Sequence, residues 1–329
     1  MPIIVRIHQI GGPENLELDQ LPTQEPGKGE VRLRVKAAGL NRAEVMFYRG
    51  MYLEQPELPS RLGYEAAGVV EAVGEGVDAG WVGKPVSTIP SFSMTRYGTL
   101  GEEAIVPVAA LGEYPANLTP AQAAAIWMQY LTAYGALVHI GGVKAGDFVS
   151  IPAASSSVGL AAIQIVRDAG ATAIAVSRTS VKRAELLALG AQYVIVSEEE
   201  DYAARVQEIT GGQGVRLTFD PVGGPFVEKL AAGAAPGGII FEYGALSLAA
   251  TPFPRSALGN SLSLRGYILM EITTNPELLK VATKYVFDRL ADGRFVPKIA
   301  KTFAFAQTVD AYRYLESNQQ VGKVVITFP

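Results

Sequence analysis

The sequence predicts an α/β protein in two parts, a mainly β domain and a doubly wound parallel sheet flanked by helices. Three observations carry that expectation. The chain has 329 residues, too many for one ordinary core and comfortable for two. Residues 1 to about 120 form short alternating runs broken by glycine and proline, the mark of closely spaced strands. From about residue 121 strands and helices alternate in units of about 25–30 residues. That rhythm specifies a parallel sheet, because each parallel connection needs a crossover helix.

Within the first part the strands are expected at Ile3–Ile10, Val31–Ala37, Gly68–Val73 and Ala104–Val108, separated by GGPENLELDQLP, EPGKGE and GEGVDAG. At Thr119-Pro120 a cap residue and a first-turn proline open a helical stretch, AQAAAIWMQYLTAYGALVHI. DFVSIPAA then reads as a buried strand, SVGLAAIQIVRDAG as a helix ending at Gly170, and ATAIAVS as a second strand. The alternation continues with KRAELLALGA helical, YVIV a strand, DYAARVQEITGG helical and VRLTFD a strand. PFVEKLAAGAA is helical, GGIIFEYG a strand, and FPRSALGNSLSLRGYI contains the last strand of this sheet. Beyond Ile268 follow a helix (PELLKVATKYVFDRLADG), a β-like FVPKIAKTFAF, a short helix (VDAYRYLESN) and a final strand, KVVITF. The expected division is 1–120 with 269–329 in one domain and 121–268 in the other.

Composition removes several classes of function. Hydrophobic residues make up 49% and charged residues 18%, the balance of a compact soluble chain. No stretch approaches the roughly 18–20 consecutive apolar residues of a membrane span. The opening MPIIVRIHQIGG lacks the basic start, apolar middle and cleavage site of a secretory signal, so the expected location is the cytoplasm. A net charge of −4 with no dense Lys/Arg cluster disfavours a nucleic-acid partner. There is no cysteine, which removes disulfides, thiol nucleophiles and thiolate metal sites together. Only His8 and His139 offer imidazoles, and no carboxylate cluster at ligand spacing supplements them, so no metal site is expected.

The informative stretch is FVSIPAASSSVGLAAIQIVRDAGATAIAVSRTSVKRAEL. A strand runs into a small-residue turn that opens a helix, and a second strand ends about twenty residues on. Backbone N–H groups and the dipole at such a helix N-terminus suit a pyrophosphate. Ser155, Ser156, Ser157, Val158 and Gly159 occupy the turn, small enough for phosphates to approach, with a single glycine among them. An unliganded strand-turn-helix is the alternative for the turn alone. At the end of the second strand stand Ser177, Arg178 and Thr179, then Lys182 and Arg183, with no acid before Glu185. An acid there would hold a ribose 2′-hydroxyl, whereas basic groups accommodate a 2′-phosphate. The expected cofactor is NADPH, with Arg178 foremost; Lys182 and Arg183 can also be plain solvated helix-start charges.

Six segments, AAGLNRAE, LGYEAAGVVEAVGEGV, YLTAYGAL, AASSSVGLAAIQ, FDPVGG and VGKVVI, resemble in order the medium-chain dehydrogenase/reductase superfamily across nearly the whole chain. The resemblance implies a GroES-like β-barrel catalytic domain, a Rossmann domain and a C-terminal return to the first. Zinc-dependent members carry a ligand Cys where this chain has Asn41, and a Gly-His-Glu triplet where it reads Gly63-Tyr64-Glu65. These departures resemble the zinc-free branch of quinone oxidoreductases, zeta-crystallin and enoyl reductases. There Asn41 would lie near the nicotinamide ribose, Thr132 would face the carboxamide, Tyr243-Gly244-Ala245 would lie beside the ring, and Lys323 could reach the cofactor. Tyr52 matches a tyrosine that enoyl-thioester reductases of this type use as proton donor, and Tyr64 should narrow or polarise the pocket. Relatives pair two Rossmann sheets across a two-fold axis, so a homodimer is expected.

The chemistry so implied is hydride transfer from NADPH to a quinone or an α,β-unsaturated carbonyl, the protein supplying alignment and electrostatics. The enolate of a reduced enone needs a proton, from Tyr52 or water. Other readings stay open: Tyr52 as pocket lining, Asn41 as the cap of a helix over RAEVMFY, Asp220 as a shaper of its turn, and Glu65 as structural or polar lining. The alternatives for the whole chain are a nucleotide-binding protein of low turnover, as zeta-crystallin is in the lens, and a zinc-free alcohol dehydrogenase or carbonyl reductase.

Overall fold

A computed structural model describes residues 1–329. Its contacts divide the chain into two units, Met1–Met128 with Pro276–Ala291 and Val296–Pro329, and Gln129–Asn275 with Asp292–Phe295. The seams lie at 128 and 275, where 120 and 268 were expected. The first shifts because the stretch after Thr119 is not one helix. Helix Pro120–Ala123 ends at once, and a second begins at Trp127.

The first unit begins with β1 (Ile3–Ile7), β2 (Leu16–Gln20), β3 (Glu30–Gly39), β4 (Ser60–Arg61), β5 (Glu65–Val73), β6 (Pro85–Thr88), β7 (Glu103–Pro107) and β8 (Leu111–Gly112). The second unit holds β9 (Phe148–Ile151), β10 (Thr172–Ser177), β11 (Tyr193–Val196), β12 (Val215–Asp220), β13 (Ala234–Glu242) and β14 (Ser263–Gly266). Strands β15 (Ile299–Ala304) and β16 (Lys323–Thr327) return to the first.

In the first unit the main sheet runs β15-β16-β3-β5-β6-β8, with β7 also on β3, while β2-β1-β4 form a smaller sheet. Strand β16 pairs antiparallel with β3, setting Val325 opposite Gly39 and fastening the C-terminus beside the residues that lead into Asn41. The alternation in β3 buries Val31, Leu33, Val35 and Ala37, which is why a period-two run with turn residues at its ends becomes a central strand here.

In the second unit six strands run β11-β10-β9-β12-β13-β14, all neighbours parallel. The chain winds outward from β9 on one side and from β12 on the other, so the order reverses between those two strands. Ligands of doubly wound sheets lie at such a switch point, beyond the carboxyl ends of the strands. Helix Ser157–Asp168 buries Leu160, Ala161, Ile163, Ile165 and Val166, a stripe at helical spacing that covers the sheet.

Candidate active site

The carboxyl ends of β9, β10 and β13 lead into most of the predicted nucleotide residues of the second unit, Thr132 excepted, which lies on a helix. After β9 the chain turns through Ala153, whose φ of +48° is left-handed backbone in a residue with a Cβ, a strained conformation. Ser155, Ser156, Ser157 and Val158 are half-buried around that turn. The Ser156 hydroxyl accepts from the Gly159 amide at 3.0 Å and caps helix Ser157–Asp168. A Cβ on Gly159 would lie 2.6 Å from the Ala154 carbonyl oxygen. Only glycine lets the helix start this close beneath the turn.

At the end of β10, Arg178 is exposed and Lys182 half-buried, and the Lys182 ammonium donates to the Ser155 hydroxyl at 3.1 Å. Burial first, and then the charge of Arg178, hold the Lys182 ammonium below its ordinary pKa. Two cations set beside a serine-lined turn form the donor set for an anion. Arg183 is engaged elsewhere, donating to Glu200 at 3.1 Å and the Val194 carbonyl at 3.0 Å. The fold also brings a carboxylate to this strand end that sequence distance concealed. Glu199 accepts from the Ser180 amide and hydroxyl at 3.0 and 2.9 Å, so its oxygen is already occupied.

Ser177 turns its hydroxyl to the Thr179 carbonyl at 3.0 Å. Thr132 is buried on helix Trp127–Ala133. Beyond β13, Tyr243 stacks on Phe219 with ring centroids 4.0 Å apart, and its buried hydroxyl has no hydrogen-bond partner. Gly244 and Ala245 beside it are exposed. Asp220 accepts the amides of Val222 and Gly223 at 2.8 and 3.2 Å, so it does shape its strand-end turn. Burial pushes its carboxyl up to about 6 against those two amides.

The first unit contains a separate polar cluster. Asn41 stands at the N-cap of helix Arg42–Tyr48, and Glu44, three residues on, reaches back to its amide at 2.7 Å. Glu44 is 0% exposed and also accepts from the Asn41 side-chain amide, the Tyr64 amide and the Tyr312 hydroxyl, at 3.1, 3.3 and 3.1 Å. Burial pushes its carboxyl up to about 7 against the bonds from Asn41 and the charge of Lys323. Lys323, buried to 1%, donates to Asn41 Oδ1 at 2.6 Å and to Glu65, whose other oxygen accepts the Met128 amide at 2.9 Å. One ammonium therefore lies buried between an amide and a carboxylate.

Tyr52 and Tyr64 meet edge to face, ring centroids 6.3 Å apart. Burial raises both phenols above their ordinary pKa, and a hydrogen bond between the hydroxyls partly reverses this for Tyr52 while adding to it for Tyr64. Of the two phenols Tyr52 is the less strongly raised, so its proton is the more readily given up. Sequence reasoning brought Asn41, Tyr52, Tyr64 and Lys323 forward and missed Glu44 and Tyr312. For Glu44 a signal was present, the Asn-x-x-Glu capping spacing; Tyr312 had none. The fold also sets His8 beside Glu17 and Asp19 through the β1–β2 pairing, a ligand-like group that sequence spacing did not reveal. It is open to solvent, and Asp19 already pairs with Arg6 at 2.5 Å.

Comparison with known proteins gives consistent neighbours. Residues 27–134 match the family model described as an alcohol dehydrogenase GroES-like domain, and residues 157–284 the one described as a zinc-binding dehydrogenase. The chain is 31% identical to a 2-haloacrylate reductase of a Burkholderia species, over 97% of each. It is 32% identical to a quinone oxidoreductase of Salmonella typhimurium, over 98% of each. The crystal structure of Escherichia coli quinone oxidoreductase complexed with NADPH superimposes with a TM-score of 0.90 at 30% identity, over 99% of both chains.

Proposed function

The chain belongs to the medium-chain dehydrogenase/reductase superfamily, in its quinone oxidoreductase branch, and we propose that it is a zinc-free NADPH-dependent oxidoreductase acting on quinones or α,β-unsaturated carbonyls. The observation that carries the cofactor reading is the end of β10, where Lys182 donates to Ser155 of the Ser155–Gly159 turn, the charge of Arg178 acts on it, and the Glu199 carboxylate is engaged by Ser180. The Escherichia coli relative complexed with NADPH supports it. Arg178 and Lys182 would hold the 2′-phosphate, the Ser155–Gly159 turn the pyrophosphate, and Thr132 with Tyr243, Gly244 and Ala245 the nicotinamide end. Bound NADPH supplies a hydride for an electron-poor carbon.

Zinc does not fit the residues present. No thiolate is available, Asn41 and Tyr64 replace the expected ligands, and the Lys323 ammonium already lies between Asn41 and Glu65. A dication beside that ammonium would meet strong repulsion in a site shut off from water. With no Lewis acid to polarise a ketone oxygen, the activated double bonds of enones and quinones are the better substrates. The 2-haloacrylate reductase and quinone oxidoreductase relatives are in keeping with that.

For an enone, Tyr52 supplies the proton. Its O–H bond breaks as the enolate carbon gains hydrogen, Tyr64 holds the resulting phenolate through its own hydroxyl, and solvent returns the proton. A quinone reduced by two electrons needs no strong acid. We further infer a cytoplasmic homodimer. No helix is long and apolar enough to cross a membrane, and β14 is an outer strand flanked by exposed Phe253, Leu258 and Ile268.

An acceptor screen tests the reading. 1,4-Benzoquinone and 2-cyclohexen-1-one are offered with NADPH and with NADH, beside a Tyr52→Phe variant. Turnover should prefer NADPH by at least about tenfold, and the variant should lose about 10²-fold on the enone. Tight NADPH binding without turnover on any acceptor would instead indicate a nucleotide-binding protein, and unchanged enone rates in the variant would remove Tyr52 as the acid.

A further inference from the structure

We propose that Glu54 is a positioning residue, whose carboxylate clasps the Tyr52 loop to the turn at Ser93–Thr95 and so sets where the Tyr52 hydroxyl stands. The inference rests on the reading of Tyr52 as the acid for enones.

Between helix Arg42–Tyr48 and β4 the chain forms no regular element. Its apolar side chains do not anchor it: Met51, Leu53 and Leu58 are 45%, 76% and 44% exposed. What holds the loop is polar. The Ser93 hydroxyl donates to one oxygen of Glu54, and the Met94 amide donates to the other at 3.0 Å. The Thr95 hydroxyl donates to the Gln55 carbonyl at 3.2 Å, and the Gln55 side-chain amide donates to the Tyr52 carbonyl at 3.0 Å. Every bond from the bracket passes through residues 54 and 55, two and three positions beyond Tyr52.

The bracket is itself fixed. Ser93 caps helix Met94–Tyr97 by accepting the Arg96 amide at 3.2 Å, Met94 is wholly buried, and the Tyr97 hydroxyl donates to Glu30 of β3 at 2.8 Å. Phe92, next to Ser93, packs on Tyr64 with centroids 5.7 Å apart. One short segment therefore places both phenols, Tyr64 through Phe92 and Tyr52 through Glu54. The edge-to-face contact between the two rings depends on that shared footing. The negative charge of Glu54 also disfavours ionisation of both phenols and so keeps Tyr52 an acid.

Glu54→Ala, Glu54→Gln and Ser93→Ala are made in the full-length chain and, for Glu54→Ala, also in the Tyr52→Phe background. The readouts are kcat on 2-cyclohexen-1-one relative to kcat on 1,4-benzoquinone, and the alkaline limb of the enone pH profile. Glu54→Ala should lower the enone-to-quinone ratio about tenfold and move the alkaline limb to lower pH. Ser93→Ala should lower the ratio less, without moving the limb, because the charge remains. Glu54→Gln should move the limb while keeping most of the ratio, because an amide oxygen still accepts. In the Tyr52→Phe background Glu54→Ala should have no further effect on the ratio. An equal loss in both backgrounds, or an unchanged ratio in the single variant, overturns the clasp. If Tyr52→Phe alone leaves enone turnover intact, the acid reading falls and this inference with it; if that variant loses turnover while Glu54→Ala does not, only the clasp falls.

Discussion

Glu44, which sequence reasoning passed over, shows how far the fold can carry a residue from what its local spacing suggests. Three positions after Asn41, it has the spacing of a capping carboxylate on an exposed first turn. The fold buries it completely, and burial pushes its carboxyl up to about 7 from an ordinary 4.5. The folded value lies above the unfolded one, so proton uptake favours the fold. That stabilisation is fully present below about pH 4.5 and is lost as pH rises through about 7, a change of about 3 kcal/mol. The melting temperature should fall between pH 5 and pH 7 and then level, and Glu44→Gln should abolish that slope in paired calorimetric scans. A slope retained in the variant would place the titration elsewhere. The same burial separates Lys323 from an ordinary lysine: removing one member of its pair with Glu65 strands a charge, at a cost of about 3–5 kcal/mol.

Secondary-structure elements were legible wherever local pattern and tertiary demand agreed. YVIV and VRLTFD are strands over the whole expected length, and helix Arg42–Tyr48 covers RAEVMFY. The stretch 121–140 is the counter-example, expected as one helix and found as short helices followed by wider turns at Tyr134–Ile140. Its break is tertiary. Ala124 presents its carbonyl so close to β3 that a Cβ on Gly39 would lie 1.9 Å from it, and Glu65 takes the Met128 amide as the helix restarts. No window of local sequence contains those partners. Helix Ser157–Asp168 offers a test at this scale. Gly159→Ala gains roughly 1 kcal/mol of helix propensity, yet its Cβ would meet Ala154 backbone atoms at 2.6–2.8 Å. Overpacking against backbone outweighs that gain, so the variant should melt lower and bind NADPH at least about tenfold more weakly by fluorescence titration. Normal affinity in the variant would mean that the turn does not need its helix so close.

At the scale of the whole molecule, β14 ends the parallel sheet and leaves one edge without a strand partner in this chain. Exposed edges invite pairing unless covered. With Phe253 62% and Leu258 77% exposed in the segment leading to that strand, light scattering at micromolar concentration should return twice the chain mass. Arg265→Pro, a residue of β14, should shift it toward one; a monomeric wild type would remove the homodimer. The sequence by itself determined the two-part architecture, the superfamily, the absence of thiolates and the basic end of β10. The superfamily came through the resemblance of six ordered segments, and the rest is written in periodicity, in composition and in residues close together along the chain. Only the tertiary structure decided that Lys323 lies between Asn41 and Glu65, that Glu199 is spent on Ser180, and that Glu54 holds the Tyr52 loop. Each of those joins residues between 19 and 282 positions apart, and local propensity carries no information at that range. Burial then raises the Glu44 carboxyl and the Tyr52 and Tyr64 phenols, and burial is a property of the packed molecule alone.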